Sequence, residues 1–444
     1  MSVWSTIDNM RTRGDIRRVY QDASNANFEN RKVSVVKGMN KQQLLLTQGD
    51  DNDIYDIQTQ GNVTAIDYII GNTNMPDNIV VSGGKIEDRT KALMPFIHML
   101  QQNNVPIIAI HCGNRHLENL INAHSGAYEI ISQASLFYDA FRALPGNDIE
   151  YILSETILEN EKNPKAELLI RTVVEVLLHS EGKVTFQNLS VFPVDKLMDK
   201  LNALLKQNAI TSNEHADISR DYMSGSTEIT TVRSFINKLN RQVSGVYGTT
   251  PKNGCNIKKL LNLNGVACVD VGANGNDLLI NLALGHIKYL QGLNKEFALV
   301  IDGVDTARFP KISTLLRGRK FALSHNDFIS SLFGGKEKGE DIFTQLMGDV
   351  TKLVLMRHSS GTSCKKWSEH LGTYHKIKVT MSISQSLGHT GGGLIFGGTA
   401  NNANQRGIQV SETDEPRVRA ETLSMLPEGV TCVHDSNGSV FIGI

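Results

Sequence analysis

The sequence predicts an α/β protein whose mostly parallel sheet is interrupted by a long all-helical insertion. Short apolar strands alternate with helical stretches in residues 76–116 and again in residues 246–444. This alternation is typical of a parallel sheet that helices cover on both faces. Between the two regions, residues 117–245 show helical periodicity and no strand of comparable strength. These residues are therefore predicted to form an insertion into one α/β core.

Residues 1–75 are predicted to form a small β-rich N-terminal subdomain. Polar helical pieces alternate there with β-like stretches at 32–36 and 43–46, and an acidic turn follows at 49–53. With 444 residues, the chain is long enough for two or three domains. We therefore expect the subdomain, the two parts of the core with a C-terminal tail, and the helical insertion to be separate structural regions.

The composition narrows the classes of function. A net charge of −1 with 20% charged residues argues against tight electrostatic binding of nucleic acid by a monomer, although an oligomer could still form a basic channel. The five cysteines are scattered without C-x-x-C spacing, which argues against a disulfide framework and a zinc site. The same cysteine pattern predicts a cytoplasmic protein, and the absence of 18 uninterrupted apolar residues and of a signal peptide predicts a soluble one.

The first chemical candidate is a strand, loop, helix and strand unit at residues 78–112. Its segment GGKIEDRT has the spacing of a P-loop, G-x-x-x-x-G-K-[ST], but Asp88 replaces the second glycine and Arg89 replaces the lysine. A carboxylate would then lie beside the phosphate, and a planar guanidinium is a poor substitute for a compact ammonium. Thr90 keeps the hydroxyl that binds Mg²⁺ in such loops. Pro95 predicts a kinked or late-starting helix.

Two interpretations of this loop stay open. In the first, the loop binds nucleotide through Gly83, Gly84, Asp88, Arg89 and Thr90. In the second, it is an ordinary turn between a strand and a helix, and residue chemistry alone favours this alternative.

The second candidate is the apolar strand 297–301, which ends in Asp302. An acid at this position orients Mg²⁺ in P-loop ATPases, so Thr90 and Asp302 are the candidate metal ligands. Gly303 stands where a hydrolytic enzyme usually carries Glu, and Asp305 could substitute only if its loop turned inward. The alternative is that Asp302 caps a turn or the following helix.

The order of these parts resembles the motor domain of the FtsK and HerA superfamily, in particular the conjugative coupling proteins of the TraD and TraG type used by type IV secretion systems. The resemblance covers about residues 76–444 and depends on order and spacing. Its most specific parts are GGKIEDRT paired with FALVIDG across the helical insertion, and the pattern Val-x-x-Glu-x-Leu-x-x-Leu-Pro-x-Gly at residues 418–429.

The resemblance implies a RecA-like ATPase core that assembles as a hexameric ring, with the helical domain where DNA or protein substrate enters. It implies ATP and Mg²⁺ as cofactors, with Gly83–Thr90 as the phosphate loop and Asp302 as the magnesium-orienting acid. It places residues 324–327 at the sensor and makes Arg357 or Lys365 an arginine-finger candidate. A solvated basic turn before a helix at 366–371 is the favoured alternative for this last region.

Four departures from the family pattern favour a loss of hydrolysis. They are Asp88, Arg89, Gly303 and the replacement of the sensor Gln at Ser324 and His325. If the site is inactive no cofactor is expected, and if it binds nucleotide the candidate catalytic residues are Asp302, Asp305 and Arg357.

Three functions follow as hypotheses. The favoured one is a coupling-protein-like component of a conjugation or type IV secretion apparatus, with lost or weak hydrolysis, that acts in substrate recruitment or assembly. The others are an active ATP-driven translocase of DNA or protein and a soluble nucleotide-binding regulator. The expected partners are secretion or conjugation subunits, further copies in a ring, and DNA. The N-terminal region has no apolar helix pair, so partners would bring the chain to the inner face of the membrane.

Two further patterns carry less weight. The glycine-rich stretch at 388–405 lacks a terminal Gly-Lys-[ST] and predicts a surface loop or a polar hairpin. His111, Cys112 and His116 crowd a strand end but have no clear carboxylate partner, which predicts a poor metal site.

Overall fold

The computed structural model describes residues 13–36, 56–58, 68–69, 75–157, 161–248, 254–257, 264–273, 276–309, 311–333, 339–388 and 401–444. The predicted strand at 43–46 and the acidic turn at 49–53 lie outside this part of the chain. The protein forms two compact units: unit 1 comprises Met1–Ala65 and Val354–Ile444, and unit 2 comprises Ile66–Leu353.

The strands are numbered in chain order. They are β1 (Val33–Val36), β2 (Asp56–Gln58), β3 (Ile79–Ser82), β4 (Ile107–His111), β5 (Tyr128–Ile131), β6 (Phe137–Tyr138), β7 (Gly254–Cys255), β8 (Val266–Asp270), β9 (Ala298–Asp302), β10 (Phe321–His325), β11 (Lys352–Leu355), β12 (Thr373–Gly388), β13 (Asn401–Pro416), β14 (Val430–Asp435) and β15 (Gly438–Gly443).

The α-helices are numbered in the same way. They are α1 (Arg13–Arg31), α2 (Ile86–Gln102), α3 (Arg115–His124), α4 (Gly146–Thr156), α5 (Pro164–Glu181), α6 (Phe186–Val191), α7 (Leu197–Lys206), α8 (Ser212–Gly225), α9 (Ile229–Tyr247), α10 (Asp277–Gly292), α11 (Lys311–Leu316), α12 (Phe328–Phe333), α13 (Gly339–Asp349), α14 (Gly361–Leu371) and α15 (Ala420–Ser424). Two short 3-10 helices lie at Val194–Lys196 and Ser226–Glu228.

Unit 2 is built on a parallel sheet with the strand order β3-β10-β9-β4-β8-β5. Every residue of β3, β4 and β9 is buried, as expected for strands covered by helices on both faces. Ile, Val, Leu and Ala fill these strands because branched side chains pack well on a pleated surface. The α/β class and the mostly parallel sheet predicted from the sequence are confirmed.

The long helical segment begins later in the chain than the sequence predicts. The run from α4 to α9 occupies residues 146–247, whereas the strands β5 and β6 lie before it, within the range expected to contain only helices. Strand β5 has mostly half-buried side chains and pairs with β8 at Tyr128↔Val266. A strand this short is defined by its pairing with a strand that is distant in the sequence, and a local sequence pattern does not reveal that pairing.

The helices of this segment carry clear start and stop signals. In α5, Asn163 caps the first turn by accepting from Lys165 N, Pro164 occupies the first position, and Gly182 ends the helix in a left-handed conformation. In α8, Thr211 and Glu214 form a capping box. These local interactions explain why residues 146–247 form separate helices.

Unit 1 contains the strand order β2-β1-β15-β14, in which β14 and β15 form an antiparallel hairpin and β1 is parallel to both of its neighbours. Strands β12 and β13 form a separate antiparallel ribbon, from Thr373↔Pro416 to Gly388↔Asn401. Helix α1 lies against this ribbon, where Asn27 Nδ2 donates to Ile377 O at 2.8 Å. The first residue of the glycine-rich stretch, Gly388, ends β12, and its last residues, 401–405, begin β13. Residues 389–400 lie outside the described part.

Candidate nucleotide-binding site

The carboxyl ends of four parallel strands in unit 2 bring the predicted site residues together. Register pairs His325 with Ser82, His111 with Asp302, and Asp302 with Ser324. Ligands of open α/β sheets bind at this edge, beyond the strand ends. The loop after β3 and the acid at the end of β9 thus share one edge, as expected for Gly83–Thr90 and Asp302.

The loop between β3 and α2 is short. It consists of Gly83, Gly84 and Lys85, because β3 ends at Ser82 and α2 begins at Ile86. Both glycines adopt left-handed backbone angles, with φ of 86° and 68°, which side-chain-bearing residues rarely adopt. Gly83 N donates to His325 O at 3.2 Å and ties the loop to β10. The two glycines are therefore needed for a tight turn of the chain.

Helix α2 includes residues that would form the second half of a phosphate loop. Arg89 N donates to Lys85 O at 3.1 Å, so this N–H forms a hydrogen bond within the helix and is not available to bind a phosphate. Glu87 and Asp88 lie in the first turn, where carboxylates interact favourably with the helix dipole. Asp88 also lies 3.7 Å from the ammonium of Lys91. Acidic side chains thus lie at the helix end where a P-loop would hold phosphate.

Pro95 does not delay the start of this helix. Helix α2 runs from Ile86 to Gln102 with Pro95 inside it. Of the two predicted outcomes, the late start is therefore wrong, and a kink at Pro95 stays a prediction. The missing proline N–H is one lost bond within seventeen helical residues, and the neighbouring side chains Leu93, Met94 and Phe96 are buried. Burial of this face compensates for the lost backbone bond.

Arg89 is folded back onto the loop. Its side chain is buried, and Nη1 donates to Gly84 O at 2.8 Å and lies 3.5 Å from Gly83 O. Burial lowers the pKa of Arg89, while the charges of Asp302 and Glu87 oppose this shift. An arginine side chain is not deprotonated in proteins, so the guanidinium is charged, and it lies among carbonyl oxygens of the loop and nearby carboxylates.

Asn114 joins the loop helix to the strand acid, a role that the sequence analysis missed. Its Nδ2 donates to Thr90 Oγ1 at 3.0 Å and to Asp302 Oδ2 at 2.7 Å, and its Oδ1 caps α3 by accepting from Leu117 N at 3.0 Å. Thr90 Oγ1 itself donates to Ile86 O at 2.7 Å. Both candidate magnesium ligands, Thr90 and Asp302, are thus engaged by one buried amide.

Two polar atoms of this cluster are buried without a hydrogen-bond partner among the described residues. They are Asp302 Oδ1 and Arg89 Nε. Buried polar atoms of this kind are uncommon in folded proteins. They lie in the part of the site where opposite charges attract each other, since Asp302 raises the pKa of Arg89. The cluster is therefore held by long-range charge attraction as well as by the amide of Asn114.

Asp305 faces His325. His325 Nε2 lies 3.4 Å from Asp305 Oδ1, and burial lowers the pKa of His325, with the charge of Arg89 acting in the same direction. Burial and the nearby carboxylates of Asp302 and Asp270 raise the pKa of the Cys112 thiol to about 12, so it is protonated at neutral pH and is a poor nucleophile. Arg357, the remaining candidate, is an exposed residue of unit 1 two positions after the end of β11, and its finger role stays a prediction.

The residues present do not fit a nucleotide with its Mg²⁺. The turn is too short to wrap a phosphate, Glu87 and Asp88 add negative charge at the helix end, and Arg89 donates to the loop carbonyl. The hydroxyl of Thr90 donates to Ile86 O and accepts from Asn114. Within the described ranges, no group of three or more His, Cys, Asp and Glu side chains is arranged to hold a metal ion.

An open parallel sheet with a glycine loop after one inner strand and an acid at the end of another has the arrangement of a RecA-type core. Solved structures of the bacterial conjugative coupling protein TrwB share this fold. The unbound monoclinic form of TrwBdeltaN70 matches with a TM-score of 0.52 and 12% identity over 86% of this chain and 91% of that chain.

Two further structures of the same protein agree. The trigonal form of TrwBdeltaN70 with sulphate matches with a TM-score of 0.50 and 12% identity over 82% of this chain and 85% of that chain. The complex of TrwB with the non-hydrolysable GTP analogue GDPNP matches with a TM-score of 0.50 and 12% identity over 86% of this chain and 92% of that chain. At this identity the similarity shows the fold, and the predicted resemblance to conjugative coupling proteins is confirmed at that level.

Other comparisons add no further relative. No protein-family model matches the chain, and no curated protein matches it. Among the helices of the described residues, none combines the length and apolar character needed to cross a bilayer.

Proposed function

We propose that this chain is a coupling-protein-like component of a conjugation or type IV secretion apparatus that has lost ATP hydrolysis and acts in substrate recruitment or assembly. One observation carries the proposal. The Arg89 guanidinium donates to Gly84 O, within a helix that already begins at Ile86. The charge that should bind phosphate is used inside the protein.

The chemistry of phosphoryl transfer gives this observation its weight. Catalysis depends on positioning the γ-phosphate with backbone N–H groups, a lysine and Mg²⁺, and on a residue that orients the attacking water. Here Arg89 replaces the lysine, Asn114 engages both Thr90 and Asp302, and Gly303 carries no side chain for the water. Each of these parts is either replaced or already engaged within the protein, so one compensating residue would not restore hydrolysis.

The scaffold supports a retained role in an assembly. Strands β3, β4 and β9 are completely buried, and the fold of TrwB extends over 86% of the chain. A protein that serves an assembly through its surface needs its folded core but does not need to hydrolyse ATP. Loss of the nucleotide site with a preserved core is the expected result. In this proposal the partners are secretion or conjugation subunits, further copies of the chain, and the transported substrate.

The test is turnover and nucleotide binding by the purified protein. We expect no ATPase activity above background with or without DNA, and no saturable binding of a fluorescent ATP analogue in the presence of Mg²⁺. An Asp302→Asn variant is the control for contaminating enzymes, because contaminating turnover would persist in it. DNA-stimulated turnover in the wild type that disappears in Asp302→Asn would refute the loss of hydrolysis and support an active translocase.

Mass photometry of the same samples tests the assembly role. A ring, or a complex with subunits of a secretion apparatus, is the expected result in the absence of nucleotide. A protein that remains monomeric with those subunits and binds nucleotide would instead be a regulator. An Arg89→Ala variant should assemble like the wild type, because Arg89 is buried within unit 2.

A further inference from the structure

Strands β12 and β13 form the longest antiparallel ribbon among the described residues. Its register extends over sixteen pairs, from Thr373↔Pro416 to Gly388↔Asn401. Strands of globular proteins usually have about 3 to 10 residues. Among the described strands, neither β12 nor β13 pairs with a third one. A two-stranded ribbon alone is only marginally stable in water, so this ribbon requires further packing.

Helix α1 supplies such packing for the inner part of the ribbon. At the base of the ribbon Arg31 Nε donates to Arg417 O at 2.9 Å, and further out Asn27 Nδ2 donates to Ile377 O at 2.8 Å. The helix therefore runs outward along the ribbon towards its own first residue, Arg13. From Asn27 to Arg13 it rises about 21 Å, which corresponds to about six strand residues. Helix α1 therefore covers β12 at most to about six residues beyond Ile377.

The part of the ribbon beyond α1 differs in charge from the part beneath it. We refer to residues 384–388 and 401–405, which pair with each other, as the outer ribbon. In the inner part, the Lys376 ammonium lies 3.4 Å from the Glu415 carboxylate. By contrast, residues 379–405 contain no Asp, Glu, Lys or Arg, although a chain with 20% charged residues would carry about five in this length. Charged side chains protect strand edges from pairing with other chains, and the outer ribbon lacks this protection.

Strand β13 begins with side chains that complement copies of themselves. Its first five residues read Asn-Asn-Ala-Asn-Gln. An amide side chain carries both donors and an acceptor, so two amides that face each other can hydrogen-bond. Antiparallel pairing of two copies about Ala403 places Asn402 of one copy opposite Asn404 of the other. It likewise places Asn401 opposite Gln405, so every amide is matched by an amide.

We propose that the outer ribbon is a self-association surface, at which β13 pairs antiparallel with β13 of a second copy of this chain through residues 401–405. The result is a four-stranded sheet in the order β12-β13-β13-β12, which exceeds the three strands needed for independent stability. The same residues form the contact on both copies, as in a twofold dimer.

The chemistry of this edge favours a second copy over other partners. Backbone hydrogen bonds along the added strand supply the affinity, and identical uncharged strands pair without repulsion. A partner recognised by its charge would find no opposite charge on the outer ribbon. The contact lies in unit 1 and does not depend on the proposed loss of hydrolysis.

Two measurements on the full chain test the contact. Sedimentation velocity should show a dimer whose fraction rises with concentration. Hydrogen–deuterium exchange, followed by mass spectrometry below and above the midpoint of dimer formation, should be slower for amides 401–405 in the dimer, because the pairing places them in hydrogen bonds. A chain that stays monomeric at its highest soluble concentration would overturn the proposal.

Charge substitutions at Ala403 test the position of the symmetry axis. Ala403→Lys puts two ammonium groups directly opposite each other and should weaken dimer formation about fivefold or more, and Ala403→Glu should do the same with carboxylates. An equimolar mixture of the two variants should recover the dimer, because opposite charges then face each other. Misfolded variants would not recover it. Asn237→Lys is the matched control, since it adds the same charge at an exposed position of α9 and should dimerise like the wild type.

The outcomes separate this contact from the assembly role proposed for the chain. Equal dimer formation by Ala403→Lys and the wild type, or no recovery in the mixture, would refute the twofold contact. A larger assembly of the wild type in which amides 401–405 exchange as fast as in the monomer would also refute it, but would leave the assembly role standing.

Discussion

Replacement of Asn114 gives the sharpest test of the site geometry. This side chain is 1% exposed and makes three interactions at once. It caps α3 through Leu117 N, and it donates to the hydroxyl of Thr90 and to the carboxylate of Asp302. An Asn114→Ala variant removes all three and leaves the buried Asp302 without its neutral donor. We expect unit 2 to lose a large fraction of its stability.

The magnitude follows from the separate contributions. Loss of a helix cap costs about 1 kcal/mol. Loss of a hydrogen bond to a buried carboxylate costs about 2 kcal/mol, because the charge is left without its donor. Thr90 Oγ1 still donates to Ile86 O after the substitution, so loss of this third contact adds little, and the sum is about 3 kcal/mol. For a folded unit of this size, roughly 2 °C of melting temperature correspond to 1 kcal/mol, so Asn114→Ala should lower the melting temperature by about 6 °C.

Two further variants separate the contributions in thermal and urea unfolding. Asn114→Ser keeps a capping oxygen and should cost about 2 kcal/mol. Asn114→Asp also keeps the cap but puts a second carboxylate beside Asp302, so it should be less stable than Asn114→Ser at neutral pH. A loss below about 1 kcal/mol for Asn114→Ala, or equal stability of the serine and aspartate variants, would refute the donor role of the Asn114 amide.

Two predictions concern titratable side chains outside this site. Burial, with the charge of His370 acting in the same direction, lowers the pKa of His434 to about 4. Because the folded state favours neutral His434, the free energy of unfolding should be constant above about pH 6.5 and fall by up to about 3 kcal/mol towards pH 4. Urea unfolding at a series of pH values measures this fall. The variant His434→Gln should not show it. Lys352 is 5% exposed and its ammonium lies 3.2 Å from the Asp77 carboxylate. Asp77→Ala leaves the buried ammonium without its carboxylate and should lower the free energy of unfolding by about 3 kcal/mol in denaturant unfolding. Lys352→Met removes the buried charge itself and should cost less than about 1 kcal/mol. The reverse order of the two costs would contradict the burial of the Lys352 charge.

The sheet and the edge that carries the site could be predicted because their residues have strong local patterns. Strands β3, β4 and β9 are continuous apolar runs, and the observed β3 lies within one residue of the predicted strand 78–81. Asp302 ends β9 at the position predicted for it. Parallel strands place their carboxyl ends at one edge, so the meeting of the loop and the acid followed from the fold class.

The interactions inside the site were not predictable from local sequence. Asn114 precedes an amphipathic helix, which is a capping signal, but its contact with Asp302 joins residues 188 positions apart. The early start of α2 did have a local signal, since Glu87 and Asp88 are acidic residues of the kind found in a first helical turn. The P-loop spacing took precedence over that signal. The return of Arg89 to Gly84 O depends on three-dimensional packing, which spacing does not encode.

The position of the helical segment has a consequence for folding. Strands β4 and β8 are neighbours in the sheet, at Ile107↔Val266, although the helices of residues 146–247 separate them in the chain. The entropic cost of closing a loop grows only with the logarithm of its length, by about 0.6 kcal/mol for each doubling. Even a segment of this length therefore lowers the stability of the sheet only slightly. Its effect falls on the rate, because contacts between distant residues form slowly. We therefore expect the helices, whose contacts are local, to form before the sheet closes.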